Sequence, residues 1–391
     1  MIKTKFVITN FTSYKEGSKM STENKPTMLT YVENTPEQLA YNTAHSKELT
    51  KILVDLYVGK GYKNIWIIAC GSSNNGCQCA KPFMMKYLGV DVKIVPPNSF
   101  IYLENQMCET DLAFVVSQSG CSTNSIEALD KLKAMGHTAV GLTGCVESDF
   151  KDHADIVIDW GVGVETVGYV TKGVTTLAQF LMLFTLESAL LKGNITKETY
   201  DAVIAEMNEA PERHKTVQKE TWDFYNKNEK ILTSMNVVYT CGFMQGYGIA
   251  TEGALKIGET VKVPSFAYEA EEYIHGPNLQ LSPNYTVFCI DDLAEGSARM
   301  AQIYAATRSV TDEAFFISNN PIVDDAHAIR LPFDVKEPLL MPLYVLPAFQ
   351  ILAYQVTTVN NSWDNHPMFR KEFKKLANTK TENILKMMPD F

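Results

Sequence analysis

Three groups of residues in this sequence have the types and spacing to do chemistry. The first is Ser117-Gln118-Ser119-Gly120, which ends an apolar run begun at Asp111 and is followed by Ser122 and a helical pattern to Leu129. A strand turning into a helix leaves unpaired amides at the positive end of a helix dipole, and these attract an anion. Ser117, Ser119 and Ser122 can each donate a further hydrogen bond. The stretch reads as a phosphate cradle, although a serine-rich turn with a serine N-cap is written in the same letters. The second group is Glu252, Lys256 and Glu259, which fall at i, i+4 and i+7 of the helical stretch TEGALKIGET and so share a face. On a surface such a stripe is a solvated salt-bridge ladder worth a few tenths of a kcal/mol. The third is the acid-rich segment Glu269, Glu271 and Glu272 leading to His275, directly before the sharp turn Gly276-Pro277. Imidazole is the side chain that carries protons near pH 7.

The elements that must position these groups alternate. Asn64–Ala69 (NIWIIA) is a continuous apolar run of the kind that fills a buried parallel strand, and it ends in Cys70-Gly71-Ser72-Ser73-Asn74. Further strands are expected at Asp91–Val95, Ala113–Val116, Thr138–Leu142 and Ile156–Asp159, with helices between them. Alternation of this kind means a parallel sheet covered on both faces, with ligands beyond the carboxyl ends of the strands. Ser72-Ser73 and Ser117-Gln118-Ser119 both fall there. The second half echoes the first: Asn64 to Gly71 is matched by Asn236 to Gly242, and Asp152 to Ile156 more loosely by Asp325 to Ile329. Two copies offset by roughly 170 residues indicate a duplicated α/β unit. In the second copy Cys289-Ile290-Asp291-Asp292 stands where the first has its serines, and adjacent carboxylates repel phosphate. The first copy should therefore bind the anion, and the second should contribute something else.

A 391-residue chain has room for two domains, each with its own core. Net charge −10 and the lack of a basic run argue against a nucleic-acid surface. The eight scattered cysteines fit buried thiols in a reducing cytoplasm, and neither they nor the seven histidines have metal-ligand spacing. No metal and no cofactor are expected. Leu177–Leu191 is interrupted by polar residues and is too short for a membrane span. Residues 1–26 are polar and aperiodic. A helix is expected over Thr35–Val58, with Thr35 as N-cap and Pro36 at its first position.

ACGSS (69–73), SQSG (117–120), GVETVGYVTKGVTT (163–176), EGALKIGE (252–259) and EEYIHGP (271–277) together resemble the sugar isomerase (SIS) family. The likeness, in matching order from about Thr35 to His366, is greatest to the isomerase half of glucosamine-6-phosphate synthase and to fructosamine-6-phosphate deglycases. It implies tandem SIS domains, each a flavodoxin-like, three-layer αβα sandwich, in a homodimer with shared active sites. The expected organisation is an extension (1–34), a phosphate-binding domain (35–205), a catalytic domain (206–360) and a tail (361–391). Carried over residue by residue, the resemblance implies that Ser72, Ser73, Ser117, Gln118, Ser119, Ser122, Lys172 and Glu272 bind a sugar phosphate. It makes Glu259 the base between C1 and C2, Lys256 its neighbouring charge, and His275 the ring-opening group, often supplied by the partner subunit.

Two departures bear on the reaction. Cys121 stands where the synthase usually has Glu, and the synthase's late lysine has no clean match, leaving Lys371, Lys374, Lys375 or none. Only a short stretch precedes the first domain, with no room for a glutaminase domain, which turns attention to isomerisation or to reactions that release an amine. The expectation is a cytoplasmic deglycase acting on a 6-phosphorylated sugar–amine conjugate. The alternatives are an aldose–ketose isomerase, a glucosamine-6-phosphate deaminase, or a non-catalytic phosphosugar sensor.

Overall fold

The apolar runs read as strands become strands of two parallel sheets. In the first half, β1 (Asn64–Ile68), β2 (Val92–Val95), β3 (Asp111–Val116), β4 (Val140–Thr143) and β5 (Ile156–Asp159) pair in the order β2-β1-β3-β4-β5. In the second, β6 (Val237–Gly242), β7 (Ser265–Glu269), β8 (Tyr285–Ile290), β9 (Ala314–Ile317) and β10 (Ala328–Ile329) pair in the order β7-β6-β8-β9-β10. All pairings are parallel. The two orders coincide, so β1 corresponds to β6 and β3 to β8, and the duplication inferred from the Cys-Gly turns is a duplication of topology. The computed structural model describes residues 25–363 and 376–387.

The first unit carries helices α1 (Met28–Ala44), α2 (Ser46–Lys60), α3 (Ser72–Leu88), α4 (Pro97–Tyr102), α5 (Thr123–Ala134), α6 (Phe150–His153) and α7 (Lys172–Lys192). After it come α8 (Lys197–Met207), α9 (Ala210–Leu232), α10 (Met244–Lys256), α11 (Ala270–Ile274), α12 (Ser297–Arg308) and α13 (Pro342–Val359). Helices α3 and α7 of the first unit pack against α10 and α13 of the second, and one apolar core runs through both units. The approach is tight at Gly248, where a Cβ would lie 2.5 Å from the Cys79 nitrogen. Only glycine lets α10 lie this close to α3.

Two expectations are corrected here. The first helix starts at Met28, inside the residues expected to form an extension, and it is capped by Thr27, whose hydroxyl and that of Thr30 form a reciprocal capping box. Thr35 and Pro36 lie within it; Pro36 lacks an N–H, and the Thr35 hydroxyl donates to the Tyr31 carbonyl at 2.7 Å. The apolar run at Leu177 is part of a longer helix than its letters suggest, since α7 spans 21 residues and passes the length and composition test for a membrane span. Of its most apolar window, 89% is buried in the protein, so α7 is a core helix between the two units. Five of the eight cysteines are buried, Cys241 and Cys289 facing each other across β6 and β8 with sulfurs 3.7 Å apart.

Candidate active site

The first site element forms where β1 ends. Gly71 takes φ 60°, which turns the chain into α3 and starts that helix at Ser72. Because α3 is packed so closely on α10, the first turn of α3 meets the last turns of α10. The Ser72 hydroxyl donates to Glu252 Oε1 at 3.1 Å, Asn75 Nδ2 donates to Glu252 Oε2 at 2.9 Å, and Lys256 Nζ donates to Ser72 Oγ at 3.0 Å. Lys256 also pairs with Glu252 at 3.2 Å and, more closely, with Glu259. The stripe seen in the sequence is therefore buried rather than solvated: the Glu252 side chain is 0% exposed and that of Lys256 1%, while Glu259 keeps 30% of its side chain open.

Burial is the largest influence on Glu252 and raises its pKa, against the opposing pull of Lys256 and Asn75. Burial pulls the Lys256 ammonium down, but Glu252 and Glu259 outweigh it and hold it above the ordinary lysine range. Glu259 lies in a π-helical turn, Ile257–Val261, that continues α10 and ends at Lys262 with φ 66°. Single π turns inside helices are frequent at functional sites. This one sets Glu259 at the mouth of a cavity of about 410 Å³, lined on the other side by Gly71 and Asn75. One partly exposed carboxylate, backed by a buried ammonium, thus faces a solvent-open space at the end of β1. Such a group can accept and return a proton.

The second element forms at the end of β3, the strand next to β1. Ser117, Ser119 and Ser122 are all buried, the Ser117 and Ser122 hydroxyls are 3.1 Å apart, and Gly120 turns the loop at φ 59°. Ser122 is the N-cap of α5 but makes no side-chain cap bond. Its hydroxyl is instead engaged by a residue from far along the chain: Lys380 Nζ lies 2.7 Å from Ser122 Oγ and 3.0 Å from Ser119 Oγ. The segment carrying Lys380 is tied down by an antiparallel bridge to Ser122, by Thr123 N to the Thr379 carbonyl and by Thr381 N to the Cys121 carbonyl. Asp149 holds it further through Thr381 and Asn383.

Gln118 is held by Glu165. Glu165 accepts from Thr171 N, Lys172 N and Gly173 N at 2.7, 2.9 and 2.8 Å, capping α7, and from Gln118 Nε2 at 2.7 Å. A Cβ on Gly173 would fall 1.8 Å from Gln118 Oε1, so a larger residue there would displace the Gln118 amide from Glu165.

Of the residues singled out in the sequence, Ser72, Lys256 and Glu259 come together, as do Ser117, Ser119 and Ser122, and the two groups occupy the ends of neighbouring strands. Ser73 follows Ser72 on α3 and is partly exposed. Lys172 is buried at the start of α7 with its head 5.6 Å above the Tyr31 ring, and burial lowers its pKa. Within this chain His275 and Glu272 are not joined to either group. Both are exposed on and just after α11, and His275 Nδ1 pairs with the Glu271 carbonyl at 2.7 Å. Lys371, Lys374, Lys375 and His366 lie outside the described residues. Glu252, read as part of the helical stripe, joins the first group, while Asn75, Glu165 and Lys380 were not picked out; of these only Glu165 had a signal, its place in the motif 163–176.

Residues 61–186 match the SIS domain. The matched stretch covers the sheet of the first unit. It contains β1 through β5, the Ser72 turn and the serine cradle, and the second unit repeats the SIS topology strand for strand. Among curated proteins, the chain is 27% identical over 307 residues to glutamine–fructose-6-phosphate aminotransferase (isomerizing) of Caldanaerobacter subterraneus, covering 75% of this chain and 48% of that protein. The chain spans about half the length of the curated relatives it matches. Two solved structures share the tandem SIS fold. One, from Clostridium difficile and described as a phosphosugar isomerase, superposes with TM-score 0.80 at 24% identity over 91% of this chain and 99% of its own. The other, the C-terminal domain of glucosamine-fructose-6-phosphate aminotransferase from Francisella tularensis, gives 0.77 at 23% over 88% and 99%.

Proposed function

We propose that this protein is a cytoplasmic phosphosugar enzyme in which Glu259 moves a proton between C1 and C2 of a 6-phosphorylated amino sugar or sugar–amine conjugate. The observation that carries this reading is the placement of a half-open carboxylate, braced by buried Lys256, at the strand end beside the serine cradle. A phosphate held by Ser117, Ser119 and Ser122 at the end of β3 would leave the sugar to extend toward the end of β1, where Glu259 faces the cavity. A C–H beside a carbonyl or iminium is acidic enough for a carboxylate to remove, giving an enediol or enolamine. When the substrate carries an amine, the same proton transfer followed by hydrolysis releases it, so we assign the protein as a deglycase. His275, on an exposed turn, would serve the ring-opening step from a partner subunit of a homodimer.

The experiment is incubation in deuterated water with fructoselysine 6-phosphate, glucoselysine 6-phosphate and glucosamine 6-phosphate, following C–H exchange and amine release by NMR. Glu259→Gln should abolish exchange and leave phosphate-ester binding nearly intact. Equal exchange in wild type and Glu259→Gln removes this carboxylate from the mechanism. Binding in every variant with turnover in none identifies a sensor. Exchange without amine release identifies an isomerase, and release from glucosamine 6-phosphate alone a deaminase.

A further inference from the structure

We propose that Lys380 completes the anion site as the cation that pairs with a phosphomonoester dianion, so that substrate phosphate fastens the segment around Lys380 onto the first SIS domain. This rests on reading the serine loop as a phosphate cradle. The sequence offered only neutral groups for that cradle, and the structure adds a charge to it. Lys380 Nζ is within hydrogen-bond distance of Ser119 Oγ and Ser122 Oγ, and Ser122 is the N-cap of α5.

An ammonium placed there is electrostatically mismatched with its surroundings. The amino end of a helix carries partial positive charge and disfavours a cation within its first turn. Among the described residues no carboxylate stands within ion-pair distance of Lys380, and the hydroxyls it touches have no charge to offer. Burial pulls its pKa below the ordinary lysine range, and the neighbouring Cys70 and Cys121 thiols offset this only in part. A dianion among Ser117, Ser119, Ser122 and Lys380 reverses the sign of each interaction: the helix end and the ammonium then both face negative charge. Charge-assisted hydrogen bonds of this kind are about twice as strong as neutral ones.

Lys380 also does not act alone. The backbone bonds Thr123 N to the Thr379 carbonyl and Thr381 N to the Cys121 carbonyl grip the cradle loop on both sides of the lysine. Any anion that pulls on Lys380 therefore pulls on these strands of contact too. The ligand class that fits is a phosphate monoester, whose second negative charge matches a helix end plus one ammonium.

The test is titration of wild type, Lys380→Met, Lys380→Arg and Ser119→Ala with inorganic phosphate and with glucosamine 6-phosphate, followed by calorimetry and phosphorus NMR. Lys380→Met should weaken both ligands by roughly tenfold to a hundredfold, the effect of losing one charge-assisted contact. Lys380→Arg should recover most of that loss, and the salt dependence of binding should become shallower in Lys380→Met alone. Ligand should also slow amide exchange across residues 379–381 in wild type. If Lys380→Met binds like wild type while Ser119→Ala does not, the lysine is no phosphate ligand and the cradle stands. If wild type binds neither ligand, the cradle itself is refuted and the role of Lys380 falls with it. Borohydride trapping of the sugar on Lys380 would place its nitrogen at the carbonyl and overturn the proposal.

Discussion

The ends of β3 and β8 occupy the same place in two copies of one topology, and they have opposite chemistry. After β3 the chain runs through Ser117 to Ser122, whose hydroxyls meet one another and Lys380. After β8 it runs into Asp291 and Asp292. Asp292 accepts from Ala294 N at 3.2 Å and Gly296 N at 2.9 Å, while Asp291 accepts from Leu293 N at 3.0 Å and from the Ser318 hydroxyl. The second loop thus satisfies its own amides with its own carboxylates. A parallel sheet provides an anion-binding position at each such strand end, but the side chains decide whether an outside anion or an internal acid fills it. Having closed its own strand end, the second unit sends the end of α10 across to the first, where Glu252, Lys256 and Glu259 meet Ser72 and Asn75.

The largest effect should come from breaking that shared cluster. Lys256→Met leaves Glu252 fully buried without its ammonium, and removing one partner of a buried pair costs about 3–5 kcal/mol. Thermal unfolding should show a drop of many degrees, and proton exchange at C1 or C2 should fall as well because Glu259 loses its brace. A variant that melts with wild type would mean that the cluster does not hold the two units together.

Next in size is a substitution that gives the first unit the chemistry of the second. Ser119→Asp places a carboxylate in the cradle, next to Lys380. Phosphate-ester affinity should fall at least a hundredfold, about 2.7 kcal/mol, while the melting temperature changes little. Retained affinity would show that Ser119 does not face the bound phosphate.

Much of this comparison was legible in the letters. Buried strands follow from continuous apolar runs such as Asn64–Ile68, and the echo at Asn236–Gly242 gave the duplication. The contrast between Ser117-Gln118-Ser119 and Asp291-Asp292 could be read directly because it is a difference of charge at matching turns. The contacts across the chain could not be read. Glu252 and Lys256 look like a surface stripe at helical spacing, and only the close approach permitted by Gly248 buries them against α3. Lys380 reaches Ser122 through a single antiparallel bridge to a residue 258 positions away, and no local pattern encodes such a partner. Pro36 misled because proline often opens a helix, whereas here Thr27 supplies the cap about two turns upstream.

A smaller effect is expected from Gly248→Ala, which tests whether the close approach is what lets one unit serve the other. The added methyl meets Cys79 backbone rather than a movable side chain, so α10 must shift away from α3. Overpacking of this kind costs about 1–3 kcal/mol. The loss of activity should exceed what the drop in stability explains, since Ser72 and Lys256 would separate. If stability falls while turnover per folded molecule is unchanged, the spacing serves packing alone.

The smallest effect, and the one that isolates the closed loop, belongs to Asp292. Burial raises its pKa from the ordinary 3.8, against the two amides it accepts from. The folded state therefore binds a proton more readily than the unfolded chain does. A raised pKa in the folded state means that Asp292 adds stability as the pH falls through its folded pKa, complete near pH 3.8, and that this is lost as the pH rises again. Asp292→Asn does not titrate and exchanges one accepting oxygen for a donor, so it should be about 1 kcal/mol less stable than wild type at neutral pH. Its deficit should then widen as the medium is acidified toward pH 4, measured by denaturant unfolding of both proteins across that range. A deficit that narrows on acidification would mean that the folded protein favours the charged carboxylate, and the loop after β8 would then be a stabilised anion site of its own rather than a closed one.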